Sequence, residues 1–160
     1  MDILQQNPLT MTTTKAGAAA GTTTTLTTAN TVLFAIKGKA FTKAGASNAA
    51  TPTTDATTGA AYVAVPVNYG CAYVLGYDAA GTLKVSQGGL QALDSSGNFI
   101  VAPQMPMVPD TVAPFAYLVT KVGSTGAAWT FGSSNLAGPP AGVTHTFVDV
   151  MTLPDRPQVS

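Results

Sequence analysis

Short runs of β-forming residues, each closed by a turn signal, recur from residue 31 onward, and no stretch of about 12 residues repeats apolar side chains at helical spacing. The runs are 31–37, 39–43, 61–67, 71–77, 115–122, 128–131 and 144–150, with Gly38 splitting the first two. Residues 45–59 are small and polar and read as a long loop. The Ala-rich stretch 16–20 comes nearest to a helix, but Gly17, Gly21 and the flanking threonines oppose it. Alternation puts Tyr73, Leu75 and Tyr77 on one strand face. It also puts Phe115, Tyr117 and Val119 opposite Ala116, Leu118 and Val122.

An internal repeat makes the pairing antiparallel. Asp78-Ala79-Ala80-Gly81-Thr82-Leu83-Lys84-Val85 matches Asp94-Ser95-Ser96-Gly97-Asn98-Phe99-Ile100-Val101. Asp suits the first position of a type I turn, where its carboxylate accepts from the turn's own amides. Gly suits the fourth, where positive φ is common. Two tight hairpins in a meander are expected, with a third turn at 123–126. Together these predict an all-β fold, a small antiparallel barrel or sandwich, over residues 31–153.

The ends read differently. Residues 1–30 form a Thr/Ala/Gly-rich tract, expected to be an extended N-terminal arm that is either disordered or ordered by a partner surface. Its apolar anchors would be Ile3, Leu4, Leu9 and Leu26. The segment 103–109 carries Pro103, Pro106 and Pro109, so it cannot be a central strand. It is expected to cross one end of the fold in extended form. Met105 and Met107 would then pack a core lid or a partner surface. Residues 154–160, with Pro154, Arg156 and Pro157, are expected to be an extended tail along the domain or toward a neighbour.

Charge narrows the function. Only 9% of residues are charged, the net charge is zero, and all seven acids are Asp. That is against about 25% in an ordinary domain. A broad basic field for nucleic acid is missing. The first eight residues carry no signal-peptide pattern, and no run is long and apolar enough for a spanning helix, so no membrane partner is expected.

Few residues invite chemistry. Cys71 stands alone among apolar neighbours and reads as a buried thiol. His145, the only histidine, has no Gly-X-Ser-X-Gly elbow and no ligand-spaced partners. Asp78 and Asp94 are explained by turns, and 94–98 lacks the ligand alternation of a calcium loop. No phosphate-binding glycine loop occurs. No catalytic residue, metal or cofactor is therefore assigned. Lys37, Lys39 and Lys43 share parity and would share a face on one continuous strand, as a solvated face or a contact to an acidic protein.

The Thr-rich start, Val32-Leu33-Phe34-Ala35-Ile36, the Asp-X-X-Gly hairpins, Pro114-Phe115-Ala116-Tyr117-Leu118-Val119 and Trp129-Thr130-Phe131-Gly132 together resemble virion structural proteins of tailed bacteriophages. They are most similar to head decoration, or capsid cement, proteins. The likeness is one of texture over residues 22–157. It implies a non-enzymatic β-rich protein, made in the host cytoplasm, that binds the major capsid protein on the capsid exterior, often as a trimer. This chain departs from the short decoration proteins in its length and its long Thr-rich start. A head-fibre or tail-fibre module binding host glycans is the alternative, with Trp129, Tyr62, Tyr69 and Tyr77 as its candidate aromatics.

Overall fold

The computed structural model describes residues 9–154 and 156–158; Ile3 and Leu4 lie outside the described residues. The chain is all-β, as the sequence predicts, and its sheets stack like a sandwich without closing into a barrel. Its strands are β1 (Met11–Thr12), β2 (Ala18–Ala20), β3 (Leu26–Thr28), β4 (Val32–Ile36), β5 (Lys39–Lys43), β6 (Ala46–Ala49), β7 (Tyr69–Asp78), β8 (Leu83–Gln87), β9 (Gln91–Ala92), β10 (Val112–Val122) and β11 (Val143–Asp149). The main sheet runs β11-β10-β7-β8, and two smaller sheets run β1-β4-β5 and β2-β3-β6. All pairings are antiparallel.

The repeat folds as its chemistry dictates. Gly81 and Gly97 donate to the carbonyls of Asp78 and Asp94 at 2.8 and 3.0 Å, with φ of 73° and 79°. Each Asp Oδ1 accepts from the amides two and four residues on, at 2.8–3.0 Å. The first turn joins β7 to β8; the second joins β9 to an isolated Leu93–Phe99 bridge. β9 does not extend the sheet outward. It pairs with Tyr69–Gly70 on the edge of β7 that β8 also uses, beyond a break at residues 88–90. A third turn closes at 123–126, where Gly126 donates to Gly123 at 3.0 Å.

The expected boundary at residue 30 falls inside the fold. β1 pairs with β4, and β2 and β3 build a sheet with β6. Ala16 and Leu26 are buried in the main core. The reason lies in the threonine hydroxyls, which supply hydrogen bonds that a composition count cannot see. Thr12 Oγ1 donates to Pro114 O at 2.7 Å, and Thr13 Oγ1 to Leu33 O at 3.1 Å. Leu33 N donates to Thr14 Oγ1 at 2.9 Å, and Ala46 N to Thr28 Oγ1 at 3.2 Å. The Asp149 carboxylate accepts from the Gly17 and Ala18 amides at 3.1 and 3.0 Å, tying this segment to β11.

Three other local expectations change. Residues 61–67 form no strand, only bridges at Ala61 and Val65, because the Gln87 side chain takes the place of a partner strand at Val63. Its Oε1 accepts from Val63 N at 2.8 Å and its Nε2 donates to Val63 O at 2.7 Å. The loop at 45–59 contains β6. On β10, a β-bulge between Pro114 and Ala116 inserts Phe115 as an extra residue. Phe115 consequently joins Ala116 and Leu118 in the main core, away from Tyr117 and Val119.

The main core lies between the main sheet and the smaller sheets and centres on Tyr62, Tyr73, Trp129 and Phe131. The opposite face of the main sheet, with Val74, Tyr117 and Val119, is covered by Phe99, Met105, Val108 and Leu153. The Pro-punctuated segment is the strap across this face. With prolines at 103, 106 and 109 it has a three-residue period: Met105 and Val108 pack inward, Gln104 and Met107 face out. It passes over Gly88, where an added Cβ would meet Gln104 O at 3.1 Å.

Candidate functional site

Cys71, Asp55, Asp94 and His145 are each held by local structure. Cys71 is fully buried, its Sγ donating to Gly88 O at 3.1 Å, and burial pushes its thiol up to about 12. Asp94 is held below its ordinary value chiefly by the Asn98 amide, in the turn already described. Asp55 is buried under its own loop. Its Oδ1 accepts from Thr57 N, Thr58 N and Thr58 Oγ1 at 2.9, 2.8 and 3.1 Å, and its Oδ2 from Gln87 N at 2.6 Å. Among the described residues no group of three His, Cys, Asp or Glu side chains is placed to hold a metal ion.

His145 packs on the Trp129 ring, centroids 4.6 Å apart, with Nδ1 3.0 Å from Thr120 Oγ1. Its Nε2 is out of solvent with no partner at hydrogen-bond geometry; the Asn135 carbonyl accepts from the Trp129 indole at 2.9 Å. Burial lowers its pKa from 6.5 to about 4, partly offset by the Asn135 backbone. Between these values the unfolded chain binds a proton that the folded chain refuses. Stability contributed by neutral His145 is therefore complete above pH 6.5 and is lost as pH falls toward 4. The slope reaches at most about 1.4 kcal/mol per pH unit, less the screening that its partial exposure allows. Urea midpoints at pH 7, 5.5 and 4.5 should fall more steeply in the wild type than in His145→Gln. Equal slopes would remove His145 from the acid response.

What remains for function is surface, and the sequence-derived interface candidates divide there. Leu9 is 58% exposed and Met107 82%; Pro154 and Arg156 are also exposed. Leu26 is corrected: it is a core residue 1% exposed, because β3 belongs to the domain. Met105 takes the core-lid alternative on the strap's inward side and is not left for a partner, and Pro157 is corrected to a buried tail contact next to Gln158, whose amide donates to Tyr117 Oη at 2.8 Å. The three lysines do not form one face. Lys37 and Gly38, with φ of 50° and 78°, make the two-residue turn between β4 and β5, and Lys37 pairs with Asp110 at 2.6 Å. Lys39 lies over Phe41, 5.6 Å from its centroid, and the Lys43 stem runs against Gly81.

Among the described residues, the exposed large apolar side chains that the sequence did not single out are Leu33, Val63, Val67, Ile100, Val101 and Met151; Tyr69, a candidate only for glycan contact, is exposed as well. Val63 and Met107 stand on the walls of a groove of about 790 Å³ floored by residues 87–90. Tyr69 pairs with Ala92, and Ile100 donates to Ala92 O at 3.1 Å, so an apolar strip begins where β9 leaves the groove. One signal for it was present in the repeat: Ile100 occupies the place of half-exposed Lys84, and exposed Val101 that of fully buried Val85. Of the four aromatics proposed for glycan contact, Trp129, Tyr62 and Tyr77 are buried and Tyr69 is 39% exposed.

Comparison of the chain with protein-family models, with curated proteins and with solved structures finds no match.

Proposed function

We propose that this chain is a structural assembly protein, a head decoration protein of a tailed bacteriophage that binds the outer capsid lattice and stabilises it. The observation that carries the reading is a groove and a strip of exposed apolar side chains on a β scaffold, with Asp55, the one ionisable group of the groove lining, taken up by four hydrogen bonds. Such surfaces suit contacts repeated around a lattice, where each interface of standard size, on the order of 1,600 Å² in total, gains from avidity. Sparse charge lowers the desolvation cost of each contact. The fibre-module alternative has Tyr69 as its one exposed aromatic among the four it named.

Copy number tests the proposal. Quantitative mass spectrometry of purified particles should find hundreds of copies per head. A few dozen copies at the tail would support the fibre reading and overturn this one. Truncation at residue 25 is no test of an anchoring arm, since it removes β1, β2 and Ala16 from the fold. Deletion of residues 1–8, which leaves every described strand in the chain, is the informative variant.

A further inference from the structure

We infer that the groove and the adjoining strip form a self-complementary surface on which a second copy of this chain docks about a two-fold axis. The two features share one edge of β7. The groove opens at the break where Gly88 N bonds Ala72 O, and the strip begins at Tyr69. Three residues of strand, about 10 Å, separate them. The strip stands out in solvent: Ile100 and Val101 are 66% and 61% exposed on a bend that follows the second hairpin. The groove is concave and walled by Val63, Pro106 and Met107. A protruding aliphatic pair beside an apolar recess is what an isologous contact needs, because each copy's pair then fills its partner's recess.

Area and charge favour a second copy as the occupant. Val63, Val67, Tyr69, Ile100, Val101 and Met107 together leave roughly 600 Å² exposed, at the upper end of what a lone monomer shows. That approaches the ~800 Å² per partner of a standard interface. The one ionisable side chain in the groove lining is Asp55, whose two carboxylate oxygens already accept four hydrogen bonds. A copy of net charge zero meets this surface without repulsion.

The inference concerns the isolated chain and stands or falls apart from capsid binding. Sedimentation equilibrium of the full chain at about 10–100 µM should give twice the 16.1 kDa chain mass. Ile100→Asp and Met107→Asp should each raise the dimer dissociation constant by roughly a hundredfold, the scale of an interface hot spot. Met107→Gln should do so less. Leu33→Asp, at an exposed leucine on β4 in another sheet, should leave the dimer intact and controls for added charge. Circular dichroism and melting checks that each variant folds. A monomer at all concentrations, a trimer, or a dimer lost equally in Leu33→Asp would each overturn the two-fold contact. None of those outcomes bears on copy number in the particle.

Discussion

Trp129→Ala should lower the unfolding free energy by about 4 kcal/mol, the range for removing a large aromatic from a packed core. Trp129 is fully buried and meets the edges of Tyr73 and Phe131, each at 6.0 Å between centroids, and His145 at 4.6 Å. Truncation removes these contacts together. It also leaves the Asn135 carbonyl without the indole donor at 2.9 Å and breaks the packing around the Val65–Trp129 bridge, which holds residues 61–67 without a strand. Against a whole-domain stability of about 5–15 kcal/mol, the variant would be marginal at 37 °C, with a melting temperature lowered by roughly 10 °C. Trp129→Phe separates the contributions: it keeps an aromatic ring and loses the hydrogen bond, for about 1–2 kcal/mol. Denaturation followed by circular dichroism decides both. A loss under 1 kcal/mol in Trp129→Ala would mean that this ring is not the centre of the core.

Asp55→Ala should cost about 3 kcal/mol, because it strands several donors at once. The Asp55 side chain is the only partner shown for the Thr57, Thr58 and Gln87 amides, and the last belongs to β8. The loop 55–60 should loosen against β8, where the Ala56 N–Val85 O and Thr57–Ser86 hydrogen bonds remain, and with it the groove wall that carries Thr57 and Thr58. Asp55→Asn keeps one acceptor and turns an amide toward Gln87 N, so it should recover about half of the loss. Urea unfolding read by the fluorescence of the single Trp gives the values. Hydrogen exchange at Thr57, Thr58 and Gln87 locates the effect. Unchanged protection at those amides in Asp55→Ala would contradict this role.

How far the chain could be read depended on whether a residue's partners were near it in sequence. The hairpins at Asp78 and Asp94 were legible because donor, acceptor and glycine all lie within five residues. Cys71 was legible because its apolar strand neighbours imply burial. The arm was misread because Thr12 finds its acceptor at Pro114, and Gly17 and Ala18 theirs at Asp149, each more than a hundred residues away. The lysine face failed at one turn, where Lys37 adopts positive φ, a conformation a count of parity cannot foresee. Phe115 changed face through a single bulge. Asp55 gave no sign of its role, since its strongest partner, Gln87, is 32 residues on.

The sequence by itself determined the class and the local chemistry. Turn residues, two-residue alternation and the lack of helical spacing leave only an antiparallel β fold, and the sparse, balanced charge follows from composition alone. Tertiary structure decided which apolar residues are left over for partners. Leu26 and Met105 went inside, while Ile100, Val101 and Met107 stayed out. The physical reason is that burial belongs to the sum of neighbours around a side chain. Those neighbours come from β3, the strap and the edge of β7, brought together only when the sheets stack.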